Sequence, residues 1–342
     1  MSEDPLLREP RSDAQASDTQ ARTFGRRKRG GGTREELMVP RAEFRSYYGR
    51  PVLKPPVWEW KVPAYLFTGG LAAGTSLLAA GADLTGRPRL RRVGRTGSLA
   101  ALLASGYLLV ADLGRPARFH HMLRVAKPTS PMSVGTWILT AFAPGAGIAA
   151  LAEMLPDRLR RTLPGKLLRA TARPAGLASA VIAPALASYT AVLLSQTAVP
   201  AWHEAHPQLP FVFTGSAAAS SGGFAMALVP VGEARPARAL AVFGAVTELA
   251  ASKVLESQLG LSAEAYTTGK AHRLRRSSER LTAAGLLGTL TAAHRSRAMA
   301  VASGAALFAG SALQRFGVFE AGVESTKDPK YVVVPQRERQ DR

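Results

Sequence analysis

The sequence predicts an all-α fold, a polytopic integral membrane bundle of about eight transmembrane helices. Three observations predict it. Stretches rich in Ala, Leu, Gly and Ser run close to or past the roughly 18 to 20 apolar residues that a hydrocarbon core requires. The 44 Lys and Arg residues fall mostly in the first 61 positions, in the last 30, and in short clusters between those stretches. The stretches also carry small side chains in place of a soluble core's large ones ("GGLAAGTSLLAAG", "GSAAASSGG", "ASGAALFAG"). Helices in lipid gain nothing by hiding Leu, and they associate through close backbone approach.

A net charge of +20 read alone suggests nucleic acid or an anionic surface. Its clustering around apolar runs assigns it to loops at a bilayer instead, and no nucleic-acid partner is expected. With no cysteine among 342 residues, the chain holds no disulfide, thiolate metal site or iron-sulfur cluster of its own.

Residues 1–56 mix charge, Pro, Gly and Ser without periodicity and read as a basic, mostly disordered extension, with "RSYYGRPVLKPP" as a structured approach that its prolines keep from being helical. "FGRRKRGGG" has no apolar region directly after it, so it reads as a solvated basic tail and not as a twin-arginine signal. Candidate spans follow at about 62–82, 95–113, 132–154, 174–195, 209–231, 236–258, 280–293 and 297–316. The seventh is the shortest, and only "HRSR" separates it from the eighth. The bundle thus occupies 57–318, with a polar carboxy-terminal tail over 319–342. The loops after spans one and three are strongly basic, which by the positive-inside rule puts them in the cytoplasm and both termini outside. The equally basic amino-terminal tail pulls the other way.

Parity gathers the unusual residues without fixing the orientation. Let the proximal face be the one on which span one begins. Trp58, Glu59, Trp60, Lys61 and Tyr65 lie there, as do Asp112 and Arg115 at the end of span two and His120 and His121 beyond it. Tyr189 in the last third of span four, Gln196, Trp202 and His203 after it, and Glu256 and Gln258 at the end of span six fall on the same face. The distal face has basic loops, Glu153 and Glu233. A proximal face so equipped suits an amphipathic ligand with a polar ring and an apolar tail, as a quinone is, and carboxylates and imidazoles relay the protons its oxidation releases. The same residues also fit a plainer reading: Trp and Tyr anchor helix ends at the interface, and Asp112 with Arg115 forms a local pair.

Glu248, near the middle of span six, costs about 2.5 to 3.5 kcal/mol if it is ionised there, so it calls for a proton, a partner or a wet cavity. A proton path and an interhelical hydrogen bond both satisfy that demand. Haem is not expected, because all six histidines read as loop or helix-end residues, and no spacing of His or carboxylates suggests a metal site.

Four ordered motifs carry a family resemblance. "YLFTGGLAAG" (65–74), "ADLGRPARF" (111–119), "SPMSVGTW" (130–137) and "YTAVLLS" (189–195), the last followed by "PAWHEAHPQLPFVFTGSAAASSG", resemble the NrfD-type polysulfide reductase membrane subunits over about residues 47–260. The resemblance implies an eight-helix anchor in the inner (cytoplasmic) membrane without haem or clusters. It implies that the anchor exchanges electrons between menaquinone and a ferredoxin-like iron-sulfur subunit, which in turn binds a molybdopterin catalytic subunit. The chain alone then catalyses nothing. The implied quinone site uses the beginning of helix one and Tyr189. Relatives with an Asn and His pair near that beginning differ from "VWEWKVPAY" here, so Glu59, Lys61 or Tyr65 would substitute for it, and residues from Trp58 to Tyr65 would form the wall opposite Tyr189, with His120 nearby. Asp112, Arg115 and Glu248 are the candidates for proton transfer. Rival readings are a small-solute or proton transporter, which predicts internal repeats with broken helices, and a purely structural anchor, which predicts no quinone binding.

Overall fold

The computed structural model describes residues 52–340, so the basic extension before residue 52 lies outside the described residues. Eight long helices stand where the eight spans were expected: α1 (Lys61–Leu84), α2 (Pro88–Ala111), α3 (Pro131–Met154), α5 (Leu163–Ser195), α7 (Leu209–Leu228), α8 (Arg235–Gln258), α10 (Gly269–Thr291) and α11 (Arg297–Lys327). Short helices α4 (Asp157–Arg160), α6 (Pro200–Glu204), α9 (Ala263–Thr267) and α12 (Lys330–Gln340) and a 3-10 segment (Pro116–Leu123) join or follow them. There is no strand among the described residues, and the protein is an all-α membrane bundle. By length and apolarity alone, α1, α2, α3, α5 and α7 qualify as membrane spans. Helices α8, α10 and α11 are as long but carry more charge.

The helix starts follow local chemistry. Ser130 caps α3 by accepting from Ser133 N at 3.5 Å, Thr162 caps α5 through Gly165 N at 3.3 Å, and Ser296 caps α11 through Met299 N at 3.4 Å. Proline opens α2, α3 and α7, where its missing N–H costs nothing. Gly86, at φ +66, makes the left-handed turn from α1 to α2.

Four boundaries differ from the apolar reading in one direction. Helix α2 begins at 88 and not 95, α5 at 163 and not 174, α10 at 269 and not 280, and α11 continues to 327, well past 316. The added turns are rich in Arg, Lys and Glu, and their backbone ladders continue past the apolar limit because ion pairs or water satisfy the side chains. The tail expected over 319–342 is therefore helical from its start. Phe319, Ala321 and Ser325 of α11 are buried, and α12 follows.

Helices α1 and α7 form the centre, with 78 % and 72 % of their apolar windows buried, whereas α3 lies outermost with 28 %. Helix α1 packs against α2, α5 and α7, α3 against α5, and α7 against α8 and α11. The α7–α8 crossing depends on absent side chains, since a Cβ on Gly244 would overlap the backbone of Gly215 and Ala219.

Candidate functional site

The two faces that parity separates are separate in the structure. On the proximal face Trp58 stacks on Trp202 with centroids 5.8 Å apart, and the Trp202 indole N–H donates to Val318 O at 2.8 Å. Nearby, Tyr266 OH donates to Ala201 O at 2.9 Å and Lys330 reaches Glu264 at 2.6 Å. These contacts join the approach to α1 with α6, α9, α11 and α12. On the distal face Arg87 and Arg89 meet Glu233, and Arg91 and Arg95 meet Asp83 and Glu153.

Tyr189 stands on the proximal side of α5, only 7 % exposed. It lines a groove of about 460 Å³ between α3 and α5, walled by Pro131, Val134 and Ile138 on one side and by Ser188, Val192 and Gln196 on the other. Its ring lies against Gly135, where any Cβ would overlap the ring carbons. The "SPMSVGTW" motif therefore clears the space that the tyrosine of "YTAVLLS" fills. The Tyr189 hydroxyl has no hydrogen-bond partner among the described residues and is not fully enclosed, so it is open to the groove. A second groove of about 370 Å³, almost wholly apolar, runs along the same helix past Trp137, Ala141 and Ile182 and shares Val134 and Ile138 with the first. Because α3 is the least buried of the five apolar helices, both grooves lie toward the outside of the bundle.

The family model "Polysulphide reductase, NrfD" matches residues 52–261, more than half of the chain. The chain belongs to the NrfD family. It is accordingly a multi-pass membrane subunit of the kind found in polysulphide reductase-like oxidoreductase complexes. No curated protein matches it. The match begins before α1 and ends beyond α8, so it contains all four motifs and the Tyr189 groove.

The other site residues of this NrfD chain occupy the proximal face without lining that groove. Tyr65 is buried in the same apolar cluster as Tyr189, and its hydroxyl likewise has no partner among the described residues. Trp58 is held in its stack, and Glu59, exposed, pairs with Lys61 at 3.1 Å. Helix α3 walls the groove that Tyr189 borders, and residues 58–65 do not line that groove. Apolar periodicity locates α3 but not its azimuth, so Gly135, Val134 and Ile138 escape a reading by sequence.

Asp112 caps α2, and partial burial raises its carboxyl above the usual value, with Lys61 opposing the rise and Glu59 adding to it. No ion pair joins it to Arg115 among the described residues, so the local-pair reading is not realised and the charges facing Asp112 come from the start of α1. Arg115 is exposed at the start of the 3-10 segment, on which His120 and His121 lie edge to face with centroids 4.4 Å apart.

Glu248, 2 % exposed, accepts a hydrogen bond from Ser311 Oγ of α11 at 3.4 Å. Arg315, one turn further along α11, supplies the opposite charge. It donates to Phe213 O at 2.6 Å and stacks over that ring at 3.8 Å. Sequence reading passed over Arg315; a lone cation inside an apolar span was its signal. Lys253 pairs instead with Glu256 and Glu279.

Proposed function

We propose that this chain binds menaquinone or menaquinol in the groove beside Tyr189 and passes electrons between it and a ferredoxin-like iron-sulfur subunit that serves a molybdopterin catalytic subunit, in the inner (cytoplasmic) membrane. One observation carries the reading. A nearly buried tyrosine with an unpartnered hydroxyl borders a groove toward the outside of the bundle that adjoins a second, apolar one. The residues fit the ligand class, since a ring oxygen needs a donor, a ring needs apolar walls, and a prenyl tail needs a route to lipid. The bound quinone supplies the two-electron, two-proton chemistry.

The chain's own part is to bind, orient and move protons. Tyr189 donates to one ring oxygen and Gln196 offers a second polar contact at the rim. Val134, Ile138 and Val192 exclude water from the ring, and Gly135 keeps the Tyr189 ring in place. Asp112, whose raised carboxyl accepts a proton more readily than an ordinary aspartate, and His120 take protons at the proximal surface. Trp58, Glu59, Lys61 and Tyr65 shape the surface around them, and Arg115 meets the partner subunit. Glu248, with Arg315 opposite, offers a buried site for a proton deeper in the bundle.

Tyr189→Phe tests the reading, because it keeps the ring and removes only the donor. In the assembled complex, menaquinol-analogue turnover should fall about tenfold, the size of one lost hydrogen bond in a dry site, while subunit assembly is unchanged. Unchanged turnover removes Tyr189 from the site. Failure of quinone analogues to bind the intact complex favours a structural anchor.

A further inference from the structure

The distal face holds a cavity that quinone chemistry does not use. It has a volume of about 290 Å³ and is lined by six arginines against two carboxylates, Asp83 and Glu153. The inner guanidinium groups account for the carboxylates. Arg95 bridges Asp83 at 2.9 Å and Glu153 at 3.1 Å, and Arg91 binds Glu153 at 2.6 Å. Arg160 is also engaged, by Leu155 O at 2.9 Å and by Asp157 at 2.9 Å.

Three arginines remain. Arg92 and Arg173 approach a carboxylate no closer than 3.9 Å, beyond hydrogen-bond distance, and Arg169 meets none among the described residues. The protein thus anchors two guanidinium groups beneath a rim of three others whose N–H donors are unspent. Forked donors of this kind match the oxygens of a phosphate, with two parallel bonds per guanidinium available. The cleft lies on the distal face, where α2 and α5 begin and α3 ends, and Leu151, Met154, Leu159 and Leu163 are exposed at the same end of the bundle. Exposed leucines next to a basic cleft suit acyl chains beside a charged head group.

We propose that this cleft binds the phosphate group of an anionic phospholipid, held by Arg92, Arg169 and Arg173. Arg91 and Arg95, fixed by Asp83 and Glu153, set the positive floor beneath it. The site is independent of the quinone groove and lies at the opposite end of the bundle.

Native mass spectrometry of the full chain in detergent tests this, with added phosphatidylglycerol, phosphatidylcholine or inorganic phosphate as probes. The chain should retain phosphatidylglycerol in preference to phosphatidylcholine, and millimolar inorganic phosphate should not displace it. Arg169→Ala with Arg173→Ala removes two exposed side chains and should weaken phosphatidylglycerol binding roughly 30-fold. Arg158→Ala with Arg161→Ala removes the same charge from the adjoining segment outside the cleft and should leave binding intact. Equal retention of the two lipids overturns the proposal, as does equal weakening by both double variants. Binding of inorganic phosphate in place of lipid, lost in the first variant only, identifies a soluble-anion site and overturns the lipid assignment.

Discussion

At one end of the bundle Val134, Ile138 and Val192 wall a groove of about 460 Å³ that offers a tyrosine hydroxyl. At the other, arginines wall a cleft of about 290 Å³ over two carboxylates. Helices α3 and α5 contribute to both. The difference lies in what each helix end supplies. The proximal turns carry Gly135, prolines and branched apolar residues that leave space, while the distal turns of α2, α3 and α5 carry charges that fill and tie it. One consequence is mechanical. At the distal cleft α1, α2 and α3 are held by nearly buried ion pairs, so their loss should unfold the protein, whereas the proximal contact of α3 with α5 is held by shape and its loss should cost function.

The most severe test of that contrast is Arg95→Ala. It leaves Asp83 and Glu153 nearly buried with one fewer cation, and should destabilise the protein by about 3 to 5 kcal/mol, read by denaturant unfolding in mixed micelles. A smaller effect comes from Gly135→Ala, whose Cβ would overlap the Tyr189 ring. About 1 to 3 kcal/mol of stability should be lost, and quinone-analogue affinity with it. If Gly135→Ala proves more damaging than Arg95→Ala, the mechanical contrast is wrong. Tyr189→Phe sharpens it from the other side. With no protein partner to lose, stability should stay within about 0.5 kcal/mol while quinol turnover falls.

The smallest expected effect is at Asp112. Burial raises its carboxyl in the folded chain, so the associated stabilisation is present below the ordinary carboxylate range and is lost as pH rises through the raised value. Asp112→Asn should therefore be slightly more stable than the parent at neutral pH and converge with it in acid, as thermal unfolding followed across that range would show.

Much of this architecture was legible in the sequence. Apolar run length located the eight helices, and alternation of faces brought Tyr189, Trp202 and Asp112 to one end. The contacts that make the sites were not legible. Gly135 and Tyr189 are far apart in sequence, and their meeting depends on how α3 is rotated about its axis. The arginines of "GRPRLRR" read as loop because composition cannot show that Asp83 and Glu153 await them, yet Arg89, Arg91 and Arg92 are helical. Arg315 was hidden for the same reason, since only the fold reveals that α11 turns it toward Phe213 O and Glu248.

Trp202 leaves a last consequence, which concerns time. Its ring rests against Gly322 and its N–H is bonded to Val318 O, both from the last long helix, although Trp202 itself is made more than a hundred residues earlier. During synthesis the Trp202 indole therefore lacks its protein acceptor until α11 has been made. A chain that stops before residue 318 lacks both contacts, so the clasp between α6 and α11 can close only late in synthesis.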